Sequence, residues 1–173
     1  MRAVLISIQP KWCELIASGK KTVEVRKTKP KLDAPFKVYI YCTKDKHGWF
    51  HFGKKKRLDG RVIGEFVCDK IFDICIEISK PDDLLGYPFP CTGLTDKGIL
   101  QYLGNGKTGY GWHISDLVIY DEPRPLSAFR RHCVNDLHCE ECGMHSENTS
   151  TCGNAALQIT RPPQSWCYVD GVG

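Results

Sequence analysis

Long apolar runs are missing from this 173-residue chain. No stretch approaches the roughly 20 apolar residues that a membrane-spanning helix requires, which argues against an integral membrane protein. The opening MRAVLISIQP has neither the apolar run nor the small-residue cleavage site of a secretory signal, and Lys11 follows it directly. Tandem repeats are also missing, which argues against a solenoid or a propeller. We therefore expect a single soluble, cytoplasmic domain with an appendage.

Acidic residues are scarce in the first third of the chain. Residues 1–57 carry fifteen Lys/Arg against four Asp/Glu, whereas residues 58–173 carry nine against sixteen. A regional positive field of this kind attracts phosphates, and nucleic acid is the most common partner of such a surface. A basic surface that only aids solubility is the alternative interpretation.

Short strands account for most of the hydrophobic pattern. Strands are predicted at 2–8, 36–43, 61–77 (as a pair) and 110–120. Only short helices are predicted: 10–18, where Trp12, Leu15 and Ile16 have the i, i+3, i+4 spacing of a buried face, and 95–103. Because strands dominate, an α+β fold with a barrel-like β architecture and decorating helices is favoured over a doubly wound sheet.

The segment KTVEVRK at 21–27 alternates between apolar and polar residues, as a strand does. The alternation puts the two valines on one face and the polar residues on the other, namely Thr22, Glu24 and Arg26. Lys21 enters from the preceding turn and joins Glu24 and Arg26 in a candidate site. A lysine whose pKa is lowered by burial or by Arg26 serves as base or nucleophile, with Glu24 transferring protons. Alternatively, the trio holds a phosphate and accepts a hydrogen bond from a base amine, or is an ordinary surface salt bridge.

Aromatic residues at two places are candidates for nucleotide contact. Trp49 and two phenylalanines lie in the basic stretch 44–57, an interleaving that suits single-stranded nucleic acid because bases stack on rings while phosphates meet cations. A hairpin whose aromatic side chains fold onto the core is the alternative. Trp112 and His113 lie in a predicted central strand, where a structural histidine is favoured over a catalytic one.

Half of the ten cysteines crowd into the tail of the chain. Four of them have the spacing Cys133-x5-Cys139-x2-Cys142-x9-Cys152, in which the central CxxC is the spacing that tetrahedral zinc prefers. The surrounding segment is polar, so a closed, structural zinc site would supply the folding energy that it otherwise lacks. A flexible tail of reduced or partly oxidised cysteines is the alternative. Cys167 is interpreted as an anchor that returns the C-terminus to the barrel.

The segment 8–30 (IQPKWCELIASGKKTVEVRKTKP), together with 109–123 (GYGWHISDLVIYDEP), resembles the ASCH family, a branch of the PUA-like superfamily. The resemblance covers about residues 1–122, which we take as the first domain. Residues 123–173 then form a cysteine-rich extension similar to that of bacterial and phage members. The resemblance implies a β pseudo-barrel with a few short helices and a cleft. The predicted zinc site adds an irregular C-terminal extension that the bound metal cross-links. The resemblance also implies association with RNA, and some members hydrolyse acylated cytidine nucleosides or RNA.

The resemblance implies roles for particular residues as well. In the amidohydrolase branch, a lysine at the position of Lys21 takes part in the chemistry, a hydroxyl residue three positions later assists it, and a distant glutamate completes the set. Here Glu24 occupies the hydroxyl position. Glu65 and Glu77 are both candidates for the distant glutamate.

We therefore predict an RNA- or nucleotide-binding module with a cationic cleft. The alternative is a hydrolase that uses Lys21 and Glu24, either an amidohydrolase acting on an N4-acylated cytidine nucleoside or a ribonuclease. The residues assigned to the site are Lys21, Thr22 and Glu24 for catalysis, Lys20, Arg26, Trp49, Trp112 and His113 for nucleotide binding, and Cys133, Cys139, Cys142 and Cys152 for structural Zn2+.

Overall fold

The computed structural model describes residues 2–44, 59–75, 89–133, 142–146 and 151–171. The strands in these ranges are β1 (Arg2–Ile8), β2 (Val23–Arg26), β3 (Phe36–Cys42), β4 (Arg61–Cys68), β5 (Ile71–Cys75), β6 (Thr108–His113), β7 (Ser115–Arg124), β8 (His145–Ser146), β9 (Thr151–Cys152) and β10 (Trp166–Asp170). The α-helices are α1 (Pro10–Ala17) and α2 (Asp96–Leu103). The predicted α+β class is confirmed. No helix in the described ranges has the length and apolar character needed to cross a membrane.

The first sheet has five strands in the order β10-β1-β3-β4-β7. Strand β1 runs parallel to β3, and the other neighbours are antiparallel. Residues 3–8 of β1 are all buried, because the sheet is covered on both faces at this central strand. This double burial explains why the opening strand is apolar at almost every position rather than at every second one.

The second sheet has three strands in the order β2-β6-β5, and both pairs are antiparallel. Two predictions about connections are corrected by it. The stretch predicted as one strand at 110–120 is two, β6 and β7, which separate at Ile114 and belong to different sheets. The pair predicted at 61–77 also splits, because β4 lies in the first sheet and β5 in the second. Alternation identifies a strand and its buried face, but it does not say which sheet the backbone joins.

The main hydrophobic core is formed by side chains of both sheets and of α1. Trp112 of β6 is fully buried in it, with its ring centroid 5.9 Å from that of Phe36 on β3 and 6.0 Å from that of Trp166 on β10. Cys13 and Ile16 of α1 pack in the same cluster. The aromatic contacts of Trp112 therefore join the second sheet to the first.

A second core covers the opposite face of the first sheet. Leu5, Tyr39 and Val62 pack there with Phe129 and Ile159, which come from the C-terminal part of the chain. The rings of Tyr39 and Phe129 meet edge to face, with centroids 4.9 Å apart. Residues after 122 thus supply a strand and core side chains to the first sheet. The predicted division of the chain into two domains at residue 122 stays a prediction.

Helix α2 covers the outer face of the second sheet. Thr95 caps its N-terminus by accepting a backbone hydrogen bond at 3.1 Å. Ile99 and Leu103 pack against Val25 of β2. The contact with β6 is close, because a Cβ added at Gly109 would lie 2.5 Å from a methyl carbon of Leu103. This packing decides which face of β2 is covered by the helix and which is left for other contacts.

Candidate functional site

A cleft of about 700 Å³ opens where β2, the end of β1 and the start of α1 meet. Its other walls include Tyr102 of α2 and residues 162–165 of the C-terminal segment. Val25 packs under α2 and also borders the cleft, whereas the alternation of β2 turns the side chains of Glu24 and Arg26 to the opposite face of the strand, from which they line the cleft as well.

The ammonium group of Lys21 is buried at the base of this cleft, and the side chain is 2% exposed. Its Nζ donates hydrogen bonds to the carbonyl oxygens of Val23, at 2.7 Å, and Thr92, at 2.5 Å. It also forms an ion pair with Glu24 Oε2 at 3.2 Å. An ammonium has three hydrogens to donate, so these three acceptors hold it in one position.

Arg26 forms the other half of the network. Its Nη2 donates to the Ser7 carbonyl oxygen at 2.6 Å and forms an ion pair with Glu24 Oε1 at 2.9 Å. Its Nε is buried and has no hydrogen-bond partner among the described residues. A buried donor without a partner costs roughly 1–3 kcal/mol, so the network is maintained against this cost.

Glu24 therefore lies between two buried cations, and the trio has a net charge of +1 when all three groups are ionised. Burial lowers the pKa of Lys21 from its usual value of 10.5, because removal from water disfavours the charged amine. Glu24 opposes this shift by its negative charge and its hydrogen bond, while the positive charge of Arg26 adds to it. The amine is thus easier to deprotonate than an exposed lysine, although its carboxylate partner favours the ammonium form.

Two aromatic rings that the sequence pattern does not assign to the site, those of Trp12 and Tyr102, line the walls of the cleft. The ammonium groups of Lys11 and Lys21 lie over the ring of Trp12, at 4.5 and 5.6 Å from its centroid. Tyr102 has Lys27 at 5.2 Å from its ring centroid. The helical spacing predicts Trp12 on the buried face of α1, and the basic stretch after Gly19, which begins about two helical turns later, is the signal for a second role.

The C-terminal segment forms the wall that faces β1. The Ser7 N–H donates to the Ser165 carbonyl oxygen at 2.9 Å, and the Ser7 hydroxyl donates to the Pro163 carbonyl oxygen at 2.6 Å. Pro162 and Gln164 line the cleft beside them. Nothing in the local pattern of RPPQS indicates this contact, because its partner Ser7 is more than 150 residues away in sequence.

Two neighbours of Lys21 that the sequence analysis assigned to the site do not line the cleft. Lys20 is exposed on the turn between α1 and β2. Thr22 is half-buried, and its backbone is used for structure: its N–H donates to the Cys91 carbonyl oxygen and its carbonyl oxygen accepts from the Ile114 N–H, both at 2.9 Å.

The aromatic candidates also lie elsewhere. Trp112 is buried between the sheets, and its indole N–H has no hydrogen-bond partner among the described residues. The ring of His113 is partly exposed and its Nδ1 is 2.7 Å from a carboxylate oxygen of Asp69. Neither residue lines the cleft. Trp49, and with it most of the basic stretch 44–57, lies outside the described residues.

Glu65, one candidate for a distant catalytic glutamate, is far from the cleft in the fold. It stands opposite Tyr39 in the β3–β4 pair, on the face covered by the second core. Its carboxylate forms an ion pair with Lys37 at 2.8 Å and accepts a hydrogen bond from the Tyr120 hydroxyl. The other candidate, Glu77, lies outside the described residues.

Three of the four predicted zinc ligands, Cys133, Cys142 and Cys152, are half-buried free thiols. Cys139 lies outside the described residues. Strands β8 and β9 form a two-stranded antiparallel sheet that pairs His145 with Cys152. In the part of the chain that is described, no three His, Cys, Asp or Glu side chains lie close enough together to hold a metal ion. The zinc site stays a prediction.

Comparison with known proteins identifies relatives of this fold. Residues 6–79 match the family model of the ASCH domain. The chain is similar to the crystal structure of ASCH from Zymomonas mobilis, with 19% identity and a TM-score of 0.54 over 96% of this chain and 86% of that one. It is also similar to a point mutant of that protein, with 19% identity and a TM-score of 0.59 over 96% and 87% of the two chains. At these identities the likeness shows a common fold. No curated protein matches the chain.

The electrostatic coupling in the network predicts the effect of Glu24→Gln. We expect this change to lower the pKa of Lys21 further, because burial and Arg26 remain while the carboxylate that favours the ammonium is gone. We also expect it to destabilise the fold by about 3–5 kcal/mol, since it leaves two buried cations without an anion. An NMR titration of the lysine side-chain resonances measures the pKa, and urea unfolding measures the stability.

The matched control is Asp73→Asn, which removes a carboxylate that is 68% exposed and pairs with Lys29 instead. It should leave the pKa of Lys21 and the stability nearly unchanged. An unchanged or raised pKa of Lys21 in Glu24→Gln would show that the network is not coupled as described.

Proposed function

The chain carries an ASCH domain at residues 6–79, and from this premise we propose that it binds RNA by taking one nucleotide into the cleft. We further propose that the two packed sheets are the pseudo-barrel of this PUA-like family. The observation that carries the proposal is the combination of a buried, net cationic network and two aromatic rings around one concave space.

The size of the cleft suits such a ligand. Sites for small molecules usually enclose about 300–1,000 Å³, and this cleft has about 700 Å³. Its walls are partly apolar, from Trp12, Tyr102 and Pro163, and partly polar. A nucleotide has the same division, because its base presents apolar faces and polar edges while its phosphate is anionic.

The phosphate would be attracted by the positive charges around the cleft. Lys11 is exposed at the wall and the buried network adds its net positive charge. Arg26 lines the cleft and adds its positive charge to this field, whereas its unpartnered Nε is itself buried. Lys21 is different, because its three hydrogens already have acceptors. We therefore assign Lys21 to holding Glu24 in place rather than to direct phosphate contact.

The base would stack on a wall ring and present its edge to Glu24. Stacking of a base on an aromatic side chain is worth about 1–3 kcal/mol. Each carboxylate oxygen of Glu24 accepts from one cation and retains further acceptor capacity. A carboxylate accepts from the exocyclic amine of cytosine but has no donor to offer the carbonyl of uracil. We propose that the cleft prefers cytosine to uracil.

Calorimetric titration with the four nucleoside 5′-monophosphates tests this function. We expect the cytidine nucleotide to bind more tightly than the uridine nucleotide. We expect Tyr102→Ala to weaken binding about tenfold, because it removes a stacking ring. The control Tyr102→Phe keeps the ring and should bind within about twofold of the wild type. If no mononucleotide binds, or if Tyr102→Ala and Tyr102→Phe behave alike, the cleft does not hold a stacked nucleotide.

A hydrolase is the second candidate, and one observation favours it: Lys21 and Glu24 are 3.2 Å apart and almost fully buried beside the cleft. On an N4-acylated cytidine, water would add to the acyl carbon while Glu24 takes its proton. That proton would pass to N4 as the C–N bond breaks, releasing a carboxylic acid and cytidine. Lys21 would favour the reaction by holding the Glu24 carboxylate in place through their ion pair.

A turnover assay distinguishes the two candidates. The substrates are N4-acetylcytidine and a mixed-sequence RNA, and the enzymes are the wild type and Lys21→Ala. A hydrolase would convert one substrate and lose nearly all activity in the variant, because Glu24 would lose its positioning cation. Absence of turnover in the wild type would leave binding as the function, and full activity in Lys21→Ala would exclude Lys21 from the reaction.

We also propose that the extension holds a structural zinc ion through Cys133, Cys139, Cys142 and Cys152. The donor set fits, because four thiolates complete a tetrahedral zinc shell. Cys142 and Cys152 are free thiols, of which Cys142 precedes β8 and Cys152 is the last residue of β9. When bound, zinc would supply the cross-link that this polar segment otherwise lacks.

Elemental analysis of protein purified without chelator tests the metal. We expect about one zinc per chain, and Cys142→Ser should abolish it. The control Cys68→Ser removes a buried thiol of β4 that is not a predicted ligand and should retain the metal. A zinc-free wild-type protein with the fold intact would refute the site.

A further inference from the structure

A second depression, of about 690 Å³, lies next to the cleft along the chain. Its walls include Lys29, Lys31, Leu32 and Ile71. Leu32 and Ile71 also pack against the main core, so they give the depression an apolar floor. The stretch that connects it to the cleft is the basic segment, residues 27–31 (KTKPK), which directly follows Arg26.

We propose that the basic segment leads a single RNA strand out of the cleft and that the depression is a subsite for a further nucleotide of that strand. This inference rests on the proposed function of the cleft. The ligand is a short single-stranded oligonucleotide, because only a flexible strand can place one base in the cleft and another over the apolar floor while its phosphates follow the lysines.

One residue of the cleft and one residue of the depression are close together along the chain. Arg26 lines the cleft and Lys29 lines the depression. Three residues of extended chain span at most about 10 Å. The phosphates of one short strand would therefore pass close to both cations.

The lysines of the basic segment are held beside aromatic rings. Lys27 lies over Tyr102, at 5.2 Å, and Lys29 lies over Tyr110, at 4.8 Å from the ring centroid. Tyr102 also lines the cleft. A lysine thus lies over a ring of the cleft wall, and a lysine of the depression lies over a second ring, which is the combination in which phosphates meet lysines while bases stack.

The backbone of the basic segment is fixed by the C-terminal strand. The Lys31 N–H donates to the Tyr168 hydroxyl at 2.7 Å, and the indole N–H of Trp166 donates to the Thr28 hydroxyl at 3.0 Å. Pro30 between them is buried. A segment that is already ordered loses little conformational freedom when it binds, so its cations are available at low entropic cost.

Acidic side chains near the depression do not cancel this attraction. Asp73 lies 3.8 Å from Lys29, but the two side chains are 68% and 50% exposed. An exposed pair of this kind is worth only about 0–1 kcal/mol, so a phosphate competes with it easily. Asp33 also lines the depression, but its one negative charge is outnumbered by the three lysines of the basic segment.

The opposite face of the first sheet provides a matched comparison. Lys37 also lies over a tyrosine ring, that of Tyr39 at 5.8 Å, and is 41% exposed. There, however, Glu65 binds the ammonium at 2.8 Å. Lys37→Ala therefore serves as a control. Like Lys29, Lys37 is a partly exposed lysine over a tyrosine ring, but it lies away from the proposed path.

The experiment measures the affinity of the four nucleoside 5′-monophosphates and of the four matching RNA homotetranucleotides at several salt concentrations. We expect the preferred tetranucleotide to bind wild-type protein about tenfold more tightly than its mononucleotide. The double variant Lys29→Ala/Lys31→Ala should lose most of that gain and keep mononucleotide affinity within about twofold. Its slope of log affinity against log salt should fall by about 0.7 for each lysine, while Lys37→Ala should match the wild type.

The outcomes separate this inference from the function on which it rests. Mononucleotide binding without a gain for the tetranucleotide, or with a gain that the double variant retains, would overturn the second subsite and leave the cleft function intact. Failure of every mononucleotide and tetranucleotide to bind would overturn both. An equal loss of binding free energy for each lysine removed, in Lys37→Ala and in the double variant, would show that only overall charge matters and would also overturn the inference.

Discussion

The geometry of the cleft depends on the buried ion network of Lys21, Glu24 and Arg26. The Glu24 carboxylate forms ion pairs with both cations. Each cation also donates a hydrogen bond to a backbone carbonyl oxygen from another part of the chain, Lys21 to Thr92 and Arg26 to Ser7. The network therefore joins β2 to β1 and to the turn that precedes α2. Because an unpaired buried charge is strongly destabilising, these contacts are mutually dependent. They keep the polar groups of the cleft in position before any ligand arrives.

A single strand supplies both a core surface and a binding surface. The valine face of β2 is covered by α2, and the other face carries Glu24 and Arg26. A shift of one residue in the register of β2 would exchange the two faces and bury the charges against Ile99 and Leu103. Apolar packing on one side of the strand is thus what directs the ion network to the other side.

Several elements of the fold were predictable because their signals are local. The alternation of 21–27, the spacing of Trp12, Leu15 and Ile16, and the capping residue Thr95 each reflect contacts within a few residues. The connection from β6 to β7 was not predictable in the same way. The apolar pattern continues through it, yet the backbone N–H of Ile114 bonds to Thr22 and the chain passes from one sheet to the other.

For the candidate site, the sequence by itself determined the residue types and their order along β2, and with them the charges available to a ligand. It also indicated that Lys21, Glu24 and Arg26 would act together, because strand periodicity and the adjoining turn bring them close. Only the tertiary structure decided that Trp12, Tyr102 and residues 162–165 complete the cleft, that Trp112 belongs to the core, and that Glu65 faces away. These contacts join segments more than 150 residues apart, and they are set by the packing of two sheets and a C-terminal strand, which no local periodicity encodes.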